Sequence, residues 1–213
     1  MSKEKRIPKA TVERIALYLR PLEELLETGS EVVSSEKLAY LCRVRSAQVR
    51  KDLSYFGEFG VRGVGYSVLD LVREIRRILG ADKVWRLAIA GLGNMGMALV
   101  RDENFAVRSY RFCAAFDTDQ EKIGRSLGPG LIIEPVSSLG EVCRTVGIHI
   151  GVIAVPPSEA QSVADMFFEA GVKAILNFSP IQVRQPECCH VENVDFTVKL
   201  DNLAYHLGRR PRR

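Results

Sequence analysis

A glycine pattern at residues 90–99, AGLGNMGMAL, constrains the fold of this 213-residue chain more than any other feature. Gly91, Gly93 and Gly96 follow an apolar segment, 84–90, that is typical of a buried strand, and they open a helical segment, 94–101. This spacing lets the chain turn tightly from a strand into a helix and points backbone N–H groups at a pyrophosphate. The pattern predicts the first βα turn of a dinucleotide-binding fold.

From residue 84 onward, apolar segments alternate with helical ones, which predicts a parallel, doubly wound sheet of the Rossmann type. The predicted strands cover 84–90, 112–116, 131–133, 148–155 and 173–177. The predicted helices cover 94–101, 119–127, 137–146 and 158–170.

Asp117 follows the second predicted strand and lies 26 residues after Gly91. An acidic residue there accepts hydrogen bonds from both ribose hydroxyls of an adenosine and repels the additional phosphate of NADP. No arginine follows in FDTDQE, so NAD(H) is favoured, although coenzyme A also binds folds of this kind. The predicted cofactor-binding residues are Gly91, Leu92, Gly93, Asn94, Met95, Gly96 and Asp117, with Val155, Pro156 and Asn177 at the carboxyl ends of the fourth and fifth strands.

The first three predicted helices of the chain follow the order of a helix-turn-helix unit. The first begins near Thr11, and Pro21 within it is expected to bend or break it. The second is short, about 36–41, with Ser34 or Ser35 as its N-cap. The third runs from Ser46, as N-cap, to about residue 56.

The third helix separates into two faces. Val49, Leu53 and Phe56 are expected to be buried. The opposite face carries cations and hydrogen-bonding groups that suit phosphates and base edges in a major groove. Its residues are Ala47, Arg50, Lys51 and Ser54, with Gln48 and Tyr55 at the borders.

The segment GEFGVRGVGYSV, 57–68, is predicted to form a glycine-rich hairpin, the wing of a winged helix. Arg62 lies near its tip, where a narrow loop can enter a minor groove. A connecting helix follows at 69–79. The charge agrees with this interpretation, because residues 1–80 contain 15 Lys and Arg and 11 Asp and Glu, whereas 81–213 are neutral.

The chain shows neither a signal peptide nor an apolar segment of about 20 residues, so we expect a cytoplasmic protein that does not enter a membrane. The five cysteines include no CxxC pair and are expected to be reduced, small buried hydrophobes. A metal site at Cys188, Cys189 and His190 is disfavoured, because adjacent side chains on an extended chain point in opposite directions.

Hydride-transfer catalysis is disfavoured as well. His149 is predicted within a strand and His206 within the last helix, so both have structural positions. About 35 residues follow the last predicted strand, which is too few for a separate substrate domain. The nucleotide is therefore expected to be a sensed ligand and not a redox cosubstrate, and the chain is expected not to be an enzyme. An NAD-dependent oxidoreductase and a coenzyme A-binding module are the alternatives.

Four segments resemble the Rex family of bacterial redox-sensing transcriptional repressors: QVRKDLSYFGEFGVRGVGYSV (48–68), GLGNMG (91–96), NFSP (177–180) and VENVDF (191–196). The resemblance implies a homodimer that binds inverted-repeat operators in double-stranded DNA, is released by NADH and binds DNA with NAD⁺. It implies three parts: a winged helix-turn-helix domain at 1–80, a Rossmann domain at 81–194, and a domain-swapped dimerisation helix with a basic tail at 195–213.

The same resemblance assigns individual residues. It assigns DNA binding to six residues, Arg50, Lys51, Ser54, Tyr55, Arg62 and Gly63. Arg45, Ser46 and Gln48, around the start of the third helix, complete the predicted DNA-binding set. Phe196 would contact the cofactor, and Asp195 would lie near the nicotinamide and the dimer interface. In some family members a tyrosine bonds to this aspartate in one redox state, and Asp102 occupies the position of that tyrosine here. The resemblance thus puts Asp195 and Asp102 in the switch.

Overall fold

The computed structural model describes residues 7–61 and 63–208, so Arg62 and the basic tail at 209–213 lie outside the described residues. The chain divides into two compact units, with the boundary between Lys83 and Val84. Each unit has its own hydrophobic core, and the two are described separately below.

The first unit has the predicted winged helix-turn-helix architecture. Its elements are α1 (Lys9–Glu27), β1 (Val32–Val33), α2 (Ser35–Cys42), α3 (Ser46–Leu53), β2 (Tyr66–Ser67) and α4 (Val68–Ile78). β1 pairs with β2 in antiparallel orientation, with Val33 opposite Tyr66. The apolar faces of the four helices meet in one core, which is why residues three, four or seven apart in each helix are buried.

Ser34 is the N-cap of α2, one of the two candidates, since its hydroxyl accepts a hydrogen bond from the Lys37 N–H at 3.1 Å. Two other expectations about helix ends need correction. Ser46, however, is the first residue of α3 and not its N-cap; Arg45 has that position and forms no side-chain cap. α3 also ends at Leu53, before the predicted residue 56, since the N–H groups of Tyr55 and Phe56 donate only three residues back, to Asp52 and Leu53, in turns that follow the α-helix.

The predicted break at Pro21 is absent, and α1 continues through it. Proline cannot donate to the carbonyl of Leu17, four residues earlier. The thiol of Cys42, at the end of α2, donates to that carbonyl instead, with a sulfur-to-oxygen distance of 3.8 Å. A contact from a neighbouring helix therefore replaces a hydrogen bond that the helix itself lacks.

The second unit contains a seven-stranded sheet in the order β5-β6-β4-β3-β7-β8-β9, parallel except for β5. Its strands are β3 (Trp85–Ala90), β4 (Tyr110–Asp117), β5 (Ser126–Gly128), β6 (Leu131–Pro135), β7 (Ile150–Ile153), β8 (Ala174–Asn177) and β9 (His190–Asn193). Its helices are α5 (Asn94–Arg101), α6 (Glu103–Val107), α7 (Leu139–Val146), α8 (Pro157–Glu169) and α9 (Phe196–Gly208). The six parallel strands have the Rossmann order, with the switch point between β3 and β7.

The helix predicted at 119–127 is wrong. Asp117 and Asp119 each accept a hydrogen bond from the backbone N–H two residues later, which stabilises turns in place of a helix. Gly124 then adopts a φ of +86°, and the chain enters β5. The sequence interpretation also missed α6 and β9, which are only five and four residues long.

Candidate functional sites

The glycine turn joins β3 to α5, and its three glycines have different roles. Gly91 has a φ of +95°, and a Cβ atom on it would lie 2.5 Å from the Ala154 carbonyl oxygen. A Cβ atom on Gly96 would collide with the Gly91 carbonyl. Gly93 precedes α5 and has open space around its Cα. Gly91 and Gly96 therefore permit close backbone packing, whereas Gly93 leaves the N–H groups of the first turn of α5 accessible to a pyrophosphate. Leu92 in this turn is buried, while Asn94 and Met95 are exposed.

Asp117 ends β4 beside the glycine turn and is only 7% exposed. Its carboxylate accepts hydrogen bonds from the Leu92 N–H at 2.8 Å, the Asp119 N–H at 2.9 Å and the Lys122 ammonium at 3.2 Å. Burial raises the pKa of Asp117, but these donors outweigh burial and hold the pKa below its ordinary value. Asp117 is thus ionised at neutral pH.

Lys122 lies beside the predicted nucleotide-binding residue Asp117, and the sequence interpretation missed it. It bridges Asp117 and Asp119, at 3.2 and 3.5 Å from their carboxylates. These contacts, those with Asp117 above all, raise the pKa of the lysine. The sequence did contain a signal for it, a cation five residues after the end of the strand, but only arginine was considered as a partner for an extra phosphate. Its charge offsets part of the repulsion that Asp117 exerts on an extra phosphate.

The carboxyl ends of β7 and β8 carry the other predicted cofactor residues. Val155 is half-buried, and Pro156 is exposed and precedes α8. Asn177 is fully buried, and its amide nitrogen donates to the carbonyls of Ser179 and Ile181 and to the Asn193 side chain. The Asn177 side chain therefore holds the loop after β8 in place.

A cavity of about 520 Å³ lies beyond this edge of the sheet and is lined by Ser179, Ile181, Asn193, Asp195 and Phe196 among others. Ser179 is 3% exposed, and its hydroxyl has no hydrogen-bond partner among the residues that the structure describes. An orphaned buried hydroxyl is costly unless a ligand or water satisfies it. The wall of the cavity thus contains a buried hydroxyl whose hydrogen bonds the described residues leave unsatisfied.

Asp195 and Phe196 lie where α9 begins. The Asp195 carboxylate accepts hydrogen bonds from the Thr197 hydroxyl and N–H, at 2.7 and 2.8 Å, and both lower its pKa. The Phe196 ring is 54% exposed and lies 6.5 Å from that of Phe178. Asp102 is exposed and caps α6 through the Asn104 N–H, so its carboxylate has a local structural partner.

The outer face of α3 is arranged largely as predicted. Val49 and Leu53 are buried, and Phe56 packs partly buried against the core. Lys51 is exposed, and its ammonium makes no ion pair with any described residue. Arg50 instead donates to the Ser35 hydroxyl at 2.8 Å and to the Glu36 carboxylate at 3.2 Å. Arg45, Ala47 and Ser54 are exposed, and Ser46, Gln48 and Tyr55 are partly buried.

Asp52 is the principal residue of α3 that the sequence interpretation missed. It is fully buried, and its carboxylate accepts hydrogen bonds from two nitrogens of Arg14, at 2.6 and 2.8 Å, and from the Tyr18 hydroxyl at 2.8 Å. Thr11 and Gln48 also donate to it, at 3.2 and 2.9 Å. Burial opposes ionisation, yet these donors lower the pKa of Asp52 to about 2. The available signal was a carboxylate on the same helix face as two core residues.

The wing is a tight turn closed by two hydrogen bonds between Val61 and Gly65. A Cβ atom on Gly65 would lie 2.6 Å from the Val33 carbonyl, so glycine is needed where the wing meets β1. Gly63 is exposed in the turn, with a φ of +83° and open space around it. The predicted minor-groove residue, Arg62, lies outside the described residues.

The cysteine expectations were partly wrong. Only Cys143 is fully buried among the five. Cys188 and Cys189 lie in a turn, so their sulfur atoms are 3.7 Å apart and do not point in opposite directions. No group of three metal-ligating side chains occurs within 7–61 and 63–208. Over the same residues, no helix is long and apolar enough to cross a membrane.

A winged helix-turn-helix followed by a Rossmann sheet with a phosphate-binding turn defines a DNA-binding regulator with a nucleotide-binding fold. Residues 6–54 match a family model described as "Putative DNA-binding protein N-terminus", and residues 82–181 match one described as "CoA binding domain". The redox-sensing transcriptional repressor Rex of Syntrophobacter fumaroxidans is 55% identical over 203 residues, covering 95% of this chain and 97% of that protein. The chain belongs to the Rex family of redox-sensing transcriptional repressors.

Further relatives agree with this assignment. Redox-sensing transcriptional repressor Rex 1 of Thermotoga maritima is 44% identical, covering 96% of this chain and 98% of its own. Among solved structures, RSP in complex with β-NAD⁺ and operator DNA is 33% identical with a TM-score of 0.90, covering 94% of this chain and 92% of its own. RSP in complex with β-NADH is 30% identical with a TM-score of 0.86, covering 95% of each chain. These relatives are named as repressors and not as enzymes.

Proposed function

We propose that this protein represses transcription by binding an inverted-repeat operator in the cytoplasm and that NADH releases it, whereas NAD⁺ leaves it bound. The main support is that the helix-turn-helix and the nucleotide fold of this chain together match RSP, a Rex-family repressor. One structure of RSP contains β-NAD⁺ and operator DNA, and another contains β-NADH. The nucleotide acts as a sensed ligand: its binding energy differs between two arrangements of the protein, and no bond in it changes.

Three regions of the second unit would each bind one part of the nucleotide. The turn at 91–96 would hold the pyrophosphate, and Asp117 would accept the ribose hydroxyls by exchanging part of its contact with Lys122. The cavity beside Ser179, Asp195 and Phe196 would hold the nicotinamide. NAD⁺ carries a positive charge on this ring and NADH does not, so a site beside the Asp195 carboxylate distinguishes the two forms.

Helix α9 supports the proposal of a homodimer. Leu200, Leu203 and Leu207 recur at helical spacing and are 60–71% exposed in the single chain. A stripe of large apolar side chains on one helix face is typical of a surface that another chain covers. We propose that α9 crosses to the partner subunit, so that the dimer carries two recognition helices, one for each half-site of an inverted-repeat operator.

The coupling between the two ligands sets the size of the response. A coupling free energy of about 1–3 kcal/mol changes operator affinity by about 5- to 150-fold. Asp102 stands at the position of a switch tyrosine in some relatives. Because its carboxylate caps α6, we expect a response at the lower end of this range.

The test is fluorescence anisotropy of a labelled inverted-repeat operator, obtained by selection from a random DNA pool and titrated with NADH, NAD⁺ or coenzyme A. Coenzyme A is included because the second unit matches a model described by that ligand. Release by NADH alone is expected. Operator binding that is indifferent to both NADH and NAD⁺ would contradict the sensing role, and release by coenzyme A would assign a different ligand.

A further inference from the structure

The amide of Gln48 has a fixed orientation in the structure. Its nitrogen donates to Asp52 Oδ1 at 2.9 Å, and Gln48 makes no other side-chain hydrogen bond with the described residues. An ionised carboxylate only accepts hydrogen bonds, so the amide nitrogen must face Asp52 and the amide oxygen must face away. The chemistry of the pair therefore excludes the flipped amide.

Asp52 does not need Gln48 as a partner. Arg14 binds both of its oxygens, and Tyr18 and Thr11 donate to one oxygen each. These contacts come from α1 and already occupy about four acceptor positions of a carboxylate. The fifth contact instead gives the partly buried Gln48 side chain a defined direction.

Gln48 is the third residue of α3, in the part of a recognition helix that contacts base edges. With one N–H committed to Asp52, the amide retains an acceptor oxygen and a second N–H. That pair matches the N6 amino donor and the N7 acceptor of adenine in the major groove. Arg50, two residues later, is already held by Ser35 and Glu36.

We infer that Gln48 reads an adenine in the operator and that buried Asp52 is the positioning residue that orients its amide. This inference rests on the proposed function, because it requires operator binding through α3. It adds a specificity determinant and the chemical class of base that the determinant selects.

The experiment determines binding preferences of the full-length protein by selection from a random DNA pool, followed by titration of single-base operator variants without NADH. Replacing one particular adenine in each half-site should lower the affinity of the wild-type protein for the operator by about 5- to 150-fold. Replacement by 7-deazaadenine, which lacks the N7 acceptor, should also lower it. Gln48→Ala should lose discrimination at that position alone.

The positioning role is tested with Asp52→Asn and a matched control, Thr11→Val. The amide introduced by Asp52→Asn can present either its oxygen or its nitrogen to Gln48, so discrimination at the same position should fall severalfold. Thr11→Val removes another donor to the same Asp52 oxygen without touching Gln48, and it should retain wild-type discrimination. Circular dichroism and urea denaturation report whether the first unit of each variant is folded.

The outcomes separate the two claims. A wild-type protein that selects no DNA sequence would contradict the proposed function itself. Operator binding with unchanged preferences in Gln48→Ala would overturn the base-reading role, even if Asp52→Asn does not fold. Equal loss of discrimination in Thr11→Val and Asp52→Asn would show that Asp52 acts only through the stability of the unit.

Discussion

The two units each contain a buried aspartate with a depressed pKa, and the two aspartates differ in where their partners come from. Asp117 takes its hydrogen bonds from Leu92, Asp119 and Lys122, which belong to the glycine turn and to the adjoining loop. Asp52 takes most of its bonds from α1, and its closest partner, Arg14, lies 38 residues earlier in the sequence. A local motif can therefore be recognised from a sequence, whereas a buried ion pair between distant helices cannot.

The largest expected effect is on the stability of the first unit. Asp52→Ala leaves the Arg14 guanidinium and the buried Tyr18 hydroxyl without their acceptor, which should lower the free energy of unfolding by about 3 kcal/mol. Urea denaturation followed by circular dichroism measures it. The control is Glu169→Ala, which removes an exposed carboxylate of the second unit and should change stability by less than about 0.5 kcal/mol. A similar loss of unfolding free energy in Asp52→Ala and in the control variant would contradict the structural role of Asp52.

The second expected effect concerns the ligand and not the fold. Asp117→Ala should weaken NADH binding by about 10- to 100-fold, because hydrogen bonds to a charged group contribute about 1.5–3 kcal/mol. Isothermal titration calorimetry measures the affinity. Operator binding without NADH should remain near the wild-type value. An unchanged NADH affinity would place the ribose contact elsewhere.

The acid stability of the first unit provides a third comparison. The pKa of Asp52 is depressed from 3.8 to about 2, so its contribution to stability is complete above about pH 4 and disappears as the pH falls through about 2. The loss should amount to about 2 kcal/mol, at about 1.4 kcal/mol for each unit of pKa. Thermal unfolding between pH 2 and 5 measures it. Asp52→Asn should show a weaker pH dependence in this range; an identical profile would argue against the ionised pair.

The smallest expected effect tests the exposed face of α3. Lys51→Ala should weaken operator binding by about 3- to 10-fold and reduce the salt dependence by roughly one ion, as expected for a phosphate contact. NADH affinity should stay unchanged, since Lys51 belongs to the first unit. Anisotropy titrations at several salt concentrations provide both values. An equal loss of NADH affinity would contradict the separate roles of the two units.

Much of the fold was predictable because its elements have local signals. The glycine turn, the central strands and the order of helices in the first unit follow from periodicity and from residues such as Gly91 and Ser34. β5 and β9 were missed because SLG and HVEN lack the apolar runs that mark the similarly short β7 and β8. The helix predicted at 119–127 failed because aspartate side chains competed for the backbone.

The functional residues show the same limit. The predicted members of the nucleotide edge were accessible to sequence reasoning because they follow strand ends, where a parallel sheet brings them together. The roles of Lys122 and Asp52 were not accessible, because each depends on a partner that only folding brings into contact. That partner is the Asp117 carboxylate for Lys122 and the Arg14 guanidinium for Asp52. The Arg50 contact with Glu36 likewise depends on how α2 packs beside α3.

The contact between Cys42 and Leu17 makes this thiol a native kinetic reporter of the α1–α2 junction. Burial raises the pKa of Cys42, so the sulfur keeps its proton and remains a hydrogen-bond donor at neutral pH. Alkylating reagents attack the thiolate, and Cys42 is partly exposed, so the reagent reaches it in the folded chain. The alkylation rate of Cys42 relative to that of exposed Cys188 therefore reports how strongly the α1–α2 junction keeps this thiol protonated, beside the proline that interrupts the hydrogen bonds of α1.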